Sequence, residues 1–123
     1  MDNKKENRYN FSVFEEKPWG RWDLLDTGLG FKVKRITVHP GHRLSLQLHN
    51  KRAENWIIVS GSAEVTIGEK KLTLSVGEHV FIPKETPHRL ENKEKDELVV
   101  IEVAIGDYIK EDDIIRLADD YGR

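Results

Sequence analysis

Between Arg21 and Val103 the chain is written in short apolar runs, each halted by a turn signal before an ordinary helix could complete itself. The runs are "RWDLLD", "FKVKRITV", "RLSLQLH", "ENWIIVS", "SAEVTI", "KLTLSV", "HVFIP", "HRLEN" and "ELVVIEVAI". The breaks between them are "TGLG", "HPG", "SGS", "GEKK", "VGE", "PKETP" and "NKEKDE". Many short strands joined by Gly- and Pro-containing turns predict an all-β sandwich or barrel. Within it, "TIGEKKLTL" has two alternating arms around a polar turn and reads as a hairpin. Only "KEDDIIRLADDYGR" at the C-terminus reads as helix. Its first residues are acidic, which suits the positive end of a helix dipole, and Ile114, Ile115, Leu117 and Ala118 would form a short buried stripe.

A chain of 123 residues makes one domain and buries about two thirds of the surface its unfolded form exposes. Residues 1–10 read as a polar tail or a loose first strand, and residues 11–123 as a single domain. The absence of cysteine excludes thiolate ligands and thiol chemistry and fits a reducing compartment. "MDNKKENRYN" has no apolar core of a signal peptide, and no apolar run approaches the ~20 residues that cross a bilayer. The expectation is a cytoplasmic protein with no membrane partner. The charges, 20 basic and 22 acidic, are spread along the chain and form no basic stripe, so no nucleic-acid partner is expected.

One stretch sits badly in a core. In "RLSLQLHNKRAENWIIVS", strand alternation places Arg43, Ser45, Gln47 and His49 on one face and Leu44, Leu46 and Leu48 on the other. Glu54, Trp56 and Ile58 share a face of the following strand. A single buried His or Gln is ordinarily hydrogen-bonded packing, but unsatisfied polar groups inside a sandwich are costly. Several converging donors change that balance. Amide oxygen, imidazole nitrogen and carboxylate oxygen all ligate a divalent cation of intermediate hardness, and a hairpin turn would bring Gln47, His49 and Glu54 together.

The spacing continues in the second half. The first segment runs Gly41, five residues, Gln47-x-His49, four residues, Glu54, six residues, Gly61. The second runs Gly77, five residues, Pro83, four residues, His88, three residues, Asn92, and 15 residues separate the two. These paired motifs resemble those of the cupin superfamily. The resemblance implies a double-stranded β-helix, a jelly-roll barrel, with a metal ion held by Gln47, His49, Glu54 and His88. Gln47 stands where most cupins carry a His.

More narrowly, residues 17–123 are similar to the isomerase domain of type II mannose-6-phosphate isomerases. The similarity rests on "KPWGRWDLLDTG", "NKRAENW", "FIPKETPHRLEN" and "EDDIIRLADDYGR". In many relatives this domain follows a mannose-1-phosphate guanylyltransferase. The short chain, lacking a Gly-rich nucleotide loop, is not expected to transfer nucleotides. The resemblance implies a metal-dependent aldose–ketose isomerase that interconverts mannose 6-phosphate and fructose 6-phosphate through an enediol. The cofactor is one divalent ion, zinc foremost, with manganese, iron, cobalt or nickel accepted by the same ligands.

The substrate phosphate calls for a cation. Arg52 is the first choice and stands with Glu102 among the catalytic candidates; Arg43, Ser45 and Lys34 are candidates for binding substrate. Glu102 interrupts the most apolar strand, "LVVIEVAI", either as a general base whose pKa burial raises or as half of an ion pair with Lys34 or Arg35. Arg89, next to His88, points away from the ligands and reads as packing or an interface contact. Relatives carry His where this chain has Asn50, Lys51 and Asn55. The alternatives are therefore a non-catalytic sugar-phosphate-binding or regulatory cupin, and another metal-dependent cupin enzyme such as a dioxygenase. The cupin resemblance also implies a homodimer, and Leu44, Leu46 and Leu48 would suit its outer-face packing or the second layer of the sandwich.

Overall fold

The computed structural model describes residues 13–122. The tail or first strand expected over residues 1–10 lies outside the described residues. Eleven strands run in chain order: β1 (Phe14–Lys17), β2 (Gly20–Gly28), β3 (Phe31–Val38), β4 (Leu46–Leu48), β5 (Arg52–Ser60), β6 (Ala63–Ile67), β7 (Lys70–Leu74), β8 (His79–Ile82), β9 (His88–Glu91), β10 (Leu98–Gly106) and β11 (Ile115–Ala118). They form a six-stranded sheet, β1-β2-β3-β10-β5-β8, and a five-stranded sheet, β11-β4-β9-β6-β7, every pairing antiparallel.

Alternation drives the two sheets together. On β5 the residues Glu54, Trp56 and Ile58 point inward and are buried, while Ile57 and Val59 are exposed. On β10, Leu98, Val100, Glu102 and Ala104 take the inner face. Leu98 and Val100 meet Ala63, Val65, Leu74 and Leu90 of the opposite sheet in one core with Trp19, Ile36 and Val38. The predicted hairpin is β6–β7, with Ile67 opposite Lys70 across Gly68 and Glu69. Gly61, which ends the first motif, turns the chain from β5 to β6 at φ 88°, and a Cβ there would lie 2.9 Å from the carbonyl oxygen of Glu97. Only glycine meets both demands.

Two expectations are corrected. The C-terminal helix does not form; the segment instead adds β11 to the free edge of β4, with Ile115 opposite Leu48 and Arg116 opposite Gln47. The acidic residues that read as a helix start are each engaged elsewhere. Glu111 pairs with Lys34 and Arg52, Asp112 accepts the Tyr108 hydroxyl, and Asp113 accepts the amides of Asn50 and Lys51. With those groups committed, the chain extends along β4 from the β-branched Ile115, and tertiary pairing overrides helix propensity. Nor is the apolar stripe buried, since Ile115 and Leu117 are exposed.

The second correction is to the face of residues 43–49. Regular strand covers only Leu46–Leu48, so alternation lapses before it, and Leu44 and Ser45 are both buried. The exposed apolar face lies elsewhere, on the outside of the six-stranded sheet, where Ile57, Phe81 and Ile105 sit on paired strands β5, β8 and β10.

Candidate metal centre

The two sheets bring the motif residues to one point. Gln47 on β4 is directly opposite His88 on β9. His49 follows the end of β4, and Glu54 reaches in from β5 of the other sheet. His49, Glu54 and His88 are at most 2% exposed, and their ligand atoms all lie within 4.8 Å of one another.

Hydrogen bonds settle which imidazole nitrogens face the cluster. Nδ1 of His49 lies 2.7 Å from the main-chain oxygen of Asp113, and Nδ1 of His88 lies 2.9 Å from that of Thr86. A carbonyl only accepts, so each Nδ1 carries the proton and each Nε2 presents a lone pair. Those Nε2 atoms approach Glu54, at 3.2 Å from Oε2 for His49 and 3.4 Å from Oε1 for His88. Lone pairs facing a carboxylate in a dry interior repel unless a positive charge stands between them. Arg52 supplies part of that charge, its Nε 3.0 Å from Glu54 Oε2 and its Nη2 3.3 Å from His49 Nε2. His88 Nε2 has no hydrogen-bond partner although it is buried. This orphaned nitrogen, beside a carboxylate and a second imidazole, is a donor set suited to a divalent cation.

Burial alone would raise the Glu54 carboxyl, but positive charge facing it, carried by His49 and His88 as imidazolium or by a cation in place of their Nε2 protons, outweighs burial and holds the group well below the usual carboxylate range. Glu54 is thus ionised wherever a ligand to a cation is needed.

Beside the cluster lies a cavity of about 150 Å³ whose walls include Trp22, Lys34, Ser45, Gln47, Arg52, Glu54, Glu102 and Glu111. Five of the residues singled out from sequence therefore share this space with Glu54: Lys34, Ser45, Gln47, Arg52 and Glu102. Arg43 does not line it; its guanidinium forks onto Asp120 at 2.6 and 3.0 Å. Arg89 donates to the main-chain oxygens of Leu44 and Ala118.

Glu102 lies opposite Lys34 on β3 and Trp56 on β5. Of the two readings of Glu102, the ion pair with Lys34 or Arg35 is absent among the described residues, because Lys34 turns to Glu111 and Arg35 to Asp23. Its one side-chain hydrogen bond comes from Trp56 Nε1 at 3.1 Å. Burial, and then the negative charge of Glu54, push the Glu102 carboxyl up to about 8, with Lys34, Arg52 and Trp56 opposing.

Glu111, Asp113 and Trp22 were missed from sequence. Lys34 Nζ sits 4.1 Å over the Trp22 ring and pairs with Glu111. The usable signal was the acid run "EDD", but its cations and amides lie far away in sequence.

Against known proteins, residues 2–119 match the family described as "Mannose-6-phosphate isomerase C-terminal". The chain belongs to that family. Its relatives include the xanthan biosynthesis protein XanB of Xanthomonas campestris, 54% identical over 87% of this chain and 23% of that protein. The mannose-1-phosphate guanylyltransferase of Escherichia coli K12 is 48% identical over 99% of this chain and 25% of that protein. The alginate biosynthesis protein AlgA of Pseudomonas aeruginosa is 52% identical over 87% of this chain and 22% of that protein. The chain thus spans about a quarter of the length of these relatives. Among solved structures, KdgF from Halomonas superposes with a TM-score of 0.73 at 19% identity, covering 81% of this chain and 91% of that one. A cupin-2 domain protein from Rhodospirillum rubrum gives 0.70 at 17%, covering 83% and 78%. These likenesses show the fold, a cupin double-stranded β-helix. No helix among the described residues is long and apolar enough to cross a membrane.

Proposed function

We propose that this domain is a metal-dependent aldose–ketose isomerase that interconverts mannose 6-phosphate and fructose 6-phosphate. The observation that carries the reading is the convergence of His49, Glu54 and His88, with His88 Nε2 buried and unpartnered, beside a cavity holding both cations and a protonatable carboxyl. Membership of the family supports it.

His49, Glu54, His88 and Gln47 would hold a divalent ion, zinc foremost, and the chemistry it would supply is Lewis acidity toward the substrate's carbonyl and enediol oxygens. The remaining work falls to the chain. Arg52 and Lys34 face the cavity as cations and hold the phosphate, which orients the opened sugar. Glu102, fixed by Trp56, takes the proton from C2 of the aldose and returns it to C1 of the enediol, while the C2 oxygen yields its proton and the C1 oxygen gains one. A carboxyl raised to about 8 is well matched to that exchange near neutral pH. The apolar and aromatic walls, Trp19, Trp22 and Ile36, limit water around the enediol. The same proposal includes a cytoplasmic homodimer packed through Ile57, Phe81 and Ile105, for which the solution mass is the check.

The deciding assay incubates metal-loaded protein with mannose 6-phosphate and follows the ketose. Turnover supports the isomerase. Saturable binding without turnover would assign a regulatory cupin, and oxygen uptake with another substrate a dioxygenase.

A further inference from the structure

One wall of the cavity is the irregular segment 107–114 between β10 and β11, and it contributes the carboxylate of Glu111. We propose that Glu111 is a built-in competing anion, seated on the phosphate subsite formed by Lys34 and Arg52 and displaced when a phosphorylated sugar enters. This rests on the functional reading above for the identity of the ligand, and on the following geometry for the subsite itself.

Lys34 and Arg52 are both buried, with side chains 7% and 5% exposed. Two cations in such a wall require compensation. Glu54 engages Arg52 through Nε; Arg52 Nη2, 3.3 Å from His49 Nε2, also lies 3.7 Å from Glu111 Oε2, while Lys34 Nζ is paired with Glu111 Oε1. The two oxygens of one carboxylate therefore bridge the two cations. The partners differ in freedom. Glu111 is 40% exposed and can swing into water, whereas Lys34 is stacked on Trp22 and Arg52 is fixed by Glu54 and the main-chain oxygen of Lys110.

The backbone around Glu111 is pinned. Lys32 donates to the oxygen of Ile109, Arg52 to that of Lys110, and Asp113 is anchored to the amides of Asn50 and Lys51. Exchange is thus a side-chain event that leaves the wall in place. A phosphate dianion, with more charge and one more acceptor oxygen than a carboxylate, matches the pair of cations better than Glu111 does. Glu111 offsets one of the two positive charges of the subsite and lowers its apparent affinity by the fraction of time it occupies it.

The test is titration of the full chain with inorganic phosphate, without any turnover, in four variants. Glu111→Gln is expected to bind phosphate about fivefold more tightly or better. Glu111→Asp, which withdraws the carboxylate by one methylene, should show part of the gain and serves if the first variant misfolds. Asp112→Asn removes the same charge one residue away, on the Tyr108 side, and should stay within about twofold of the parent. Lys34→Met/Glu111→Gln should lose the gain. No gain in either Glu111 variant, or an equal gain in Asp112→Asn, overturns the proposal. Tighter phosphate binding by Glu111→Gln in a protein that fails to isomerise would leave this subsite standing and remove only the isomerase reading.

Discussion

His49 gives its Nδ1 proton to the main-chain oxygen of Asp113 at 2.7 Å, across 64 residues of chain. The Asp113 carboxylate also accepts the amides of Asn50 at 3.1 Å and Lys51 at 2.9 Å. One residue therefore fixes the tautomer of a ligand and the loop that follows it. Asp113→Ala should destabilise the fold by about 1–3 kcal/mol, the range for losing such charge-assisted bonds. The main-chain oxygen that accepts from His49 Nδ1 survives the substitution but loses its anchor, so metal affinity should fall by up to roughly 10-fold, the low end of what losing an outer partner of a ligating His costs. Asp113→Asn retains one acceptor and should lose less of both. Denaturant melts and competition with a metal indicator check the pair of effects; unaltered metal affinity in Asp113→Ala would remove the positioning role.

His88 Nε2 has no hydrogen-bond partner, so the protein without a cation holds an uncompensated polar atom in its core. A bound ion should stabilise the native state by about 4 kcal/mol at a thousandfold excess over its Kd. Adding a chelator is then expected to lower the melting temperature of the parent protein. In His88→Ala the same chelator should have little effect, because the ligand set is already broken. Calorimetry with and without chelator compares the two, and equal chelator-induced drops would place the ion elsewhere.

Glu102 sets a pH dependence whose sign can be worked out. Its carboxyl is raised from an ordinary 4.5 to about 8 in the metal-free fold, by burial first and by Glu54 second. Between those values the folded state keeps a proton that the unfolded state has released, so stability falls as pH rises. The contribution is fully present below 4.5 and gone above about 8. At about 1.4 kcal/mol per unit the loss amounts to a few kcal/mol. Glu102→Gln should flatten this slope and be the more stable protein at alkaline pH. A cation beside Glu54 offsets the second cause and should move the midpoint down. Urea melts across that window read the effect, and a parent protein with a flat profile would contradict it.

Much of the fold is legible in the order of residues because its strands are short and firmly punctuated. β3 coincides with "FKVKRITV", and the β6–β7 hairpin with "TIGEKKLTL". The candidate cluster is legible too, since His49 and Glu54 are polar where a core wants hydrophobes, and the second motif adds His88 at a fixed spacing. What escapes is whatever depends on a distant partner. "KEDDII" carries helix-start chemistry locally, yet Glu111 answers Lys34 and Arg52, and Asp113 answers the loop at 50–51. Arg43 has the parity of Gln47 in the text, but the chain before Leu46 is not regular strand, so parity carries no orientation there.

The strand at the C-terminus supports one side of the site. β4 has only three residues and pairs with β9 only at Gln47 and His88, so its other edge needs β11. Arg116 lies opposite Gln47, and every residue of β11 is exposed. Arg116→Pro removes a donor and resists pairing in that register. Little apolar surface is at stake, so global stability should fall by only about 1–2 kcal/mol. Metal affinity should drop more visibly, because Gln47 then sits on a strand held from one side. Main-chain chemical shifts of residues 115–118 should read as extended in the parent protein and lose that signature in the variant. If the signature disappears while metal affinity holds, β11 is a cover for the sheet edge and not a support for Gln47.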